Sequence, residues 1–212
     1  MLFLDDWSIP ACVKDRQTTK DRILDAAEEI MLEKSFHSVG LKQILTVAKV
    51  PKGSFYHYFE SKEKFGTEMI KHYMDQACEN KRQMLICKDN ESDPLKRLFI
   101  YLDGSIDYIQ STAGTFPCLA LKLASEVSDL SEYMRKELAQ GFEDWISIFC
   151  EVLEEAVAAN QLPANFNCAS EAQLIHDLMS GAIQRAVINR SVEPVRNAVE
   201  HTKSSISSMM IE

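Results

Sequence analysis

No stretch of the 212-residue chain approaches the ~20 consecutive apolar residues that span a bilayer, so the sequence carries no membrane helix. The apolar start, Met1 to Leu4, is interrupted by Asp5 and Asp6 and has no basic residues before it, so it does not read as a secretory signal. The six cysteines, Cys12, Cys78, Cys87, Cys118, Cys150 and Cys168, form no C-x-x-C pair. The histidines show no ligand spacing with them, which argues against a zinc site. A cytoplasmic protein with reduced thiols is expected. There is no nucleophile elbow, glycine-rich phosphate loop or paired-carboxylate motif, so no catalytic residue, metal or cofactor is expected. Alternating strand patterns longer than a few residues are missing, as are internal repeats and low-complexity segments. The six prolines all fall at the edges of helical patterns, where they break nothing. The fold class is therefore expected to be all-α.

What is present is an ordinary apolar fraction of 46%, enough for a real core, and an uneven charge. The net charge is −9, which excludes an all-over nucleic-acid coat. Residues 41–64 nevertheless carry five Lys against two Glu, a local +3, while residues 67–212 hold a net −9. A basic element on an acidic body suits a DNA reader whose body is held off the duplex.

That basic stretch, LKQILTVAKVPKGSFYHYFESKEK, has two helical patterns joined by a short connection. Leu41, Ile44, Leu45 and Ala48 recur at i, i+3, i+4 and i+7. Pro51 stops this helix and can start the next. Lys52, Gly53 and Ser54 then open a helix that continues into an aromatic run, Phe55 to Phe59. A helix, a tight turn and a second helix with a basic, small and polar start is the pattern of a helix-turn-helix. Phe55 and Phe59, apolar and four apart, are expected in the core.

Around it the 3.6-residue period predicts further helices. Thr18 or Thr19 can cap a first helix whose stripe is Ile23, Ala27, Ile30 and Met31, with Lys20 and Arg22 on the other side. Ser61 can cap a long fourth helix to about Ile86. Asp93-Pro94 starts another. Cys118 to about Val127 is a short helix, and Asp129 or Ser131 begins a longer one ending at Gln161 to Pro163. Residues 171–190 and a helix from Pro194 close the chain. About nine helices are expected, divided into an arm at 1–16, a helix-turn-helix domain at 17–64 and a larger helical body at 65–212.

The stretch from Thr19 to Phe65, and above all the Gly-x-x-Tyr-x-Tyr-Phe-x-x-Lys-Glu string from Gly53 to Glu63, resembles the N-terminal domain of the TetR family of transcriptional repressors. The resemblance implies a homodimer bound to a palindromic double-stranded operator and released by an effector acting on the helical body. The DNA-facing set is then Thr19, Lys42, Lys49, Lys52, Gly53, Ser54, Tyr56, His57, Tyr58 and Lys62, with Tyr58 and Lys62 resembling the family's backbone anchors. Gly53 would let the backbone approach the duplex, and the N–H groups at the helix start favour a phosphate. Two positions depart from the family pattern. Lys49 stands where a glycine is usual, at a strain cost of about 1 kcal/mol if its conformation is left-handed. Gly40 and Leu41 stand where the family often has a threonine that touches phosphate.

Residues 114–135, GTFPCLALKLASEVSDLSEYMR, resemble the family's NemR-like branch, which senses reactive electrophiles and oxidants through a cysteine at the position of Cys118. Cys118 follows Pro117 at a helix start, with Lys122 one turn on; both favour a thiolate. The alternative is a small core residue with an ordinary thiol. Where that branch places a lysine near the end of the penultimate helix, this chain has Val187. Arg185 and Arg190 are near, but a guanidinium does not deprotonate. A covalent Cys–Lys switch is thus not carried over, while alkylation or oxidation of Cys118 stays open. The other effector reading is a non-covalent apolar ligand, with Phe99, Tyr101, Tyr108, Phe116, Trp145 and His176 as pocket walls. The remaining cysteines read as core (Cys150), bystanders (Cys78, Cys87, Cys168) or part of the arm (Cys12). The broad apolar faces of the last two helices point to a four-helix dimer interface. A helical interaction protein that does not bind DNA is the competing reading.

Overall fold

Side-chain caps start several of the helices. The computed structural model describes residues 18–112 and 118–211; the arm at 1–16, Cys12 and the expected pocket residue Phe116 lie outside them. Among the described residues there are nine helices and no strand: α1 (Thr19–Glu33), α2 (Leu41–Ala48), α3 (Lys52–Tyr58), α4 (Lys62–Leu85), α5 (Pro94–Ser111), α6 (Leu119–Ser128), α7 (Glu132–Ala158), α8 (Cys168–Asn189) and α9 (Glu193–Ser208). Thr18 caps α1 in a reciprocal box: its hydroxyl accepts from the Asp21 N–H at 3.1 Å, and its own N–H donates to the Asp21 carboxylate at 3.0 Å. Ser61 accepts from Lys64 N–H at 3.0 Å at the head of α4, and Asp93 from Lys96 N–H at 3.0 Å ahead of Pro94.

The helices fall into two units. One is drawn from Met1–Asp75 and Cys118–Leu138, the other from Gln76–Pro117 and Ala139–Glu212. The first holds α1 to α3, most of α4, α6 and the first turns of α7. Its core contains Ile23, Ala27 and Met31 of α1, Ile44 of α2, Phe55 and Phe59, Phe65 and Met69 of α4, and Leu119 and Leu123 of α6. Gly66 marks a close approach: a Cβ there would lie 2.7 Å from Phe36 Cζ and nearer still to Met134 Cε. α6 is also tied to the end of α1 by polar bonds. The Lys122 ammonium donates to the Leu32 carbonyl at 2.6 Å, and the His37 N–H donates to Glu126 at 3.1 Å.

Glu28, in the same unit, is an acid in the wrong medium. Burial, together with the Asp25 charge, pushes its carboxyl up to about 8 from an ordinary value of 4.5. Between those two values the folded chain holds a proton that the unfolded chain has released, so stability falls as pH rises through this window. The free energy of unfolding in urea is expected to drop by roughly 2–4 kcal/mol between the lower and upper ends of the window. Glu28→Gln, which carries no titrating proton, should remove most of that slope; an unchanged slope in the variant would place its origin elsewhere.

In the second unit, Leu95, Leu98, Leu102, Phe149, Val152, Leu153, Ile175, Val195 and Val199 form the main core. Arg97 is buried within it, 2% exposed, and fully engaged. It donates to the carbonyls of Leu85 (2.7 Å), Glu91 (3.1 Å) and Ser92 (3.0 Å) and to the Glu155 carboxylate (2.7 Å). α9 packs its apolar stripe, Val195, Ala198, Val199 and Ile206, inside the chain, against α5 and α8. α8 differs: Leu174, Leu178 and Ile188 remain at the surface, 59%, 39% and 79% exposed. Of the two helices whose patterns suggested an outside partner, α9 thus covers its stripe within the chain, while α8 leaves part of its apolar surface exposed.

Candidate nucleic-acid interface and sensing cysteine

The turn between α2 and α3 is built around the residue that departs from the family pattern. Lys49 has φ 55° and ψ 44°, the left-handed region, at a cost on the order of 1–2 kcal/mol for a non-glycine residue. The Val50 N–H closes the turn on the Leu45 carbonyl at 3.0 Å. Arg22 of α1 reaches across to the same point, with Nη2 2.6 Å from the Ala48 carbonyl and 3.3 Å from that of Lys49. A guanidinium on the last carbonyls of α2 offsets the strain and meets the negative end of the helix. Periodicity places Arg22 only on the side away from the buried stripe. Its partner is 26 residues away, and nothing local signals it.

α3 separates its two faces cleanly. Phe55 and Phe59 are 3% and 0% exposed and pack with Phe65 in tilted and edge-to-face contacts, at ring distances of 5.0 to 5.3 Å. This anchors the short helix, as the i, i+4 pairing predicts. The other face is open. Lys52, Gly53, His57 and Tyr58 are exposed, and Tyr56 is 62% exposed, edge-on to Phe55. Ser54 is half-buried, as is Thr19 at the first turn of α1. Lys42 and Lys49 are exposed on α2 and its turn. Lys62 is also exposed, its ammonium 5.0 Å from the centre of the Phe36 ring. Pro51 provides no side-chain cap for α3. At Gly53 an added Cβ would meet nothing within 4 Å, so the fold has no internal need for glycine there.

Cys118 is the half-buried residue that precedes α6. Its sulfur lies 3.7 Å from the Tyr73 hydroxyl of α4, which donates to it and accepts the Leu119 N–H at 3.2 Å. Lys122 is joined to Cys118 through the backbone, N–H to carbonyl at 3.1 Å, but its ammonium is turned to Leu32. α1 has no basic residue in its last turn, and Lys122 supplies the missing cation. Burial lowers the pKa of that amine, against the charges of Glu126 and Glu33. Two other cysteines are poor nucleophiles. Burial, then the Glu154 carboxylate, pushes Cys150 up to about 11, and burial raises Cys168 in the same direction. Val187 is half-buried on α8.

Of the expected pocket walls, Tyr101 and Trp145 come together around Lys81, whose ammonium lies 4.5 and 5.1 Å from their rings. His176 joins Trp145 through Phe142. Phe99 lies under the Lys203 ammonium, and Tyr108 is half-buried on α5. The Trp145 Nε1 and His176 Nε2 atoms are buried without a hydrogen-bond partner among the described residues. Two open clefts, of about 360 and 410 Å³, lie at the α7–α8 connection, lined by Phe166, Asn167 and their neighbours.

Comparison with known proteins agrees with this arrangement. Residues 23–68 match the family described as bacterial regulatory proteins, tetR family, and residues 94–202 match the tetracyclin repressor-like C-terminal domain. The chain is 34% identical over 190 residues to the HTH-type transcriptional repressor NemR of Escherichia coli strain K12, covering 89% of this chain and 94% of the relative. It is 27% identical over 180 residues to the HTH-type transcriptional repressor DhaR of Mycobacterium sp. strain GP1, covering 85% and 88%. The crystal structure of E. coli NemR in its reduced form superposes with a TM-score of 0.77 at 32% identity, covering 92% of this chain and 98% of that one.

Proposed function

The chain belongs to the TetR family of DNA-binding transcriptional regulators, and from that premise we propose that it is a cytoplasmic homodimeric repressor of a palindromic operator, released when an electrophile or oxidant modifies Cys118. It is a regulator and not an enzyme, as its relatives are. No helix among the described residues is long and apolar enough to cross a membrane.

The observation that carries the reading is the exposed face of α3, where Lys52, Tyr56 and His57 project from a helix pinned by Phe55 and Phe59. Gly53 adds to it. Glycine in a helix costs up to about 1 kcal/mol relative to alanine, and no neighbour within the fold requires it. The close approach it permits is then to something outside, the duplex backbone. Gly53→Ala is expected to raise the melting temperature slightly and yet weaken binding to operator DNA about tenfold, measured by fluorescence anisotropy. A variant that binds as well as the parent would remove the close approach from the docking mode. Binding of the parent should weaken steeply with salt. Two readers in a dimer need half-sites about 34–36 Å apart or a multiple of that. The surface residues Leu174, Leu178 and Ile188 of α8 support the pairing.

For release, the contact of Cys118 with Tyr73 supports the cysteine reading. Addition of the sulfur to an activated carbon–carbon double bond forms an S–C bond, with the proton ending on the neighbouring carbon. The bulk added at sulfur displaces the Tyr73 hydroxyl and leaves the Leu119 N–H without its acceptor. α4 is thereby pushed from α6 inside the unit that contains the reader. Cys118→Ser should bind operator normally and stay bound in the presence of a maleimide that releases the parent. Full release of the serine variant sinks the cysteine mechanism. A non-covalent effector is the second reading, supported by the unmatched Trp145 and His176 nitrogens. Under it, Cys118→Ser leaves release intact and substitution of Trp145 removes it.

A further inference from the structure

Neither the DNA-facing surface nor Cys118 uses the polar seam between α1 and α4. Asp25 and Glu28 stand at i and i+3 on α1, one turn apart, so their side chains share a face. His72 comes from α4. One donor atom from each of the three lies within 4.8 Å of the other two. His72 Nε2 and Asp25 Oδ1 are already 2.7 Å apart. The Glu28 Oε1 atom is buried and meets no hydrogen-bond donor among the described residues. Buried carboxyl oxygens are nearly always matched, and a second acid alongside makes an unmatched one costlier still.

We propose that Asp25, Glu28 and His72 form a binding site for a first-row transition-metal dication, such as zinc or cobalt(II), with water completing the coordination. A dication supplies an electron-pair acceptor for the buried Glu28 oxygen: it displaces the Glu28 proton to solvent, and its charge neutralises the two carboxylates that result. The donor set selects the class. An imidazole nitrogen with two carboxylates suits these metals, whereas magnesium and calcium favour all-oxygen sites and copper(I) favours thiolates. The geometry needs small adjustments only. Metal–ligand bonds of about 2.0–2.2 Å set neighbouring donors roughly 3–3.5 Å apart. The His72–Asp25 contact opens to that distance and the widest pair closes to it, by rotation of side chains on two ordered helices. Bound there, the ion clamps α1 to α4 within the unit that carries α2 and α3.

The test uses the full-length, reduced protein and cobalt(II) chloride, followed by visible absorption and by calorimetry. One equivalent per chain is expected, with weak visible bands of nitrogen–oxygen ligation and without the intense near-ultraviolet band of a cobalt thiolate, which separates this site from the cysteines. Glu28→Gln and His72→Asn should each weaken the binding about tenfold or more. Zinc chloride should raise the melting temperature of the parent and not of either variant. Circular dichroism establishes that the variants are folded, and Asp25→Asn stands in for any that is not. Absence of saturable binding below about 1 mM, or undiminished binding in folded variants, overturns the proposal. The seam then holds only a proton on Glu28.

Discussion

Charge reversal at Lys52 is expected to lower operator affinity by about 100-fold or more while leaving the fold intact. Among the described residues, Lys52 makes no ion pair and no hydrogen bond through its side chain, and it is exposed at the first position of α3. Its removal therefore disturbs nothing in the interior. Lys52→Glu turns the local +3 of residues 41–64 into +1. It also brings a carboxylate towards the phosphates where an ammonium had met them or a guanine edge. In a dimer the change enters twice. A contact worth about 1–3 kcal/mol at each half-site already accounts for the stated loss, before repulsion is added. The salt dependence supplies a second readout, because its slope should fall by about one unit for each phosphate contact removed. Anisotropy titrations at several salt concentrations, with a melting curve as control, decide the matter. If affinity for the DNA flanking the chain's own coding sequence changes less than twofold, α3 is not the reader, and the interaction-protein reading gains.

Arg97→Met is expected to cost about 3–5 kcal/mol of stability, several times the roughly 0.5 kcal/mol of an ordinary surface substitution. The side chain is 2% exposed and satisfies three main-chain carbonyls and the Glu155 carboxylate. One of those carbonyls, Leu85, ends α4 and has no helical partner of its own. Methionine fills much of the volume but leaves these acceptors without donors, and an unmatched buried acceptor costs about 1–3 kcal/mol. Lys88 still reaches Glu155 at 3.1 Å, so the carboxylate is not wholly abandoned. Arg97→Lys should recover part of the loss only, because one ammonium cannot span the fork of acceptors that a guanidinium meets. Urea unfolding with both variants measures the difference. A loss near 1 kcal/mol would mean that water replaces the guanidinium.

Periodicity carried most of the fold. The stripe of α1, its cap at Thr18, the cap at Ser61 and the Asp93-Pro94 start are where local pattern puts them, because each is decided within four residues of chain. Lys49 was legible only through the family resemblance: a glycine is usual there, which implies a left-handed conformation, and Lys49 takes one at φ 55°. Long polar side chains were less readable. Spacing places Lys122 one turn from Cys118, yet its flexible stem carries the charge to Leu32, 90 residues away. Arg97 sits in a pattern that would be equally satisfied with its head in water. An apolar stripe also does not name its neighbour. The stripe of α9 is covered within the chain, while that of α8 is partly left to the surface, and the two read alike in sequence. On α3 the residues that face outwards were evident, because two phenylalanines four apart fix which side is inside.

The unit that carries α3 is assembled from two stretches of chain, Met1–Asp75 and Cys118–Leu138. On the ribosome these arrive apart. Synthesis proceeds at about 5–20 residues per second, so α1 to α3 wait roughly 4–16 seconds for the segment that completes their core. Until then, the apolar surface destined for Leu119 and Leu123 has no cover. A nascent chain therefore acquires its DNA-reading surface only when nearly two thirds of it has been made, and chaperones have that interval in which to hold it.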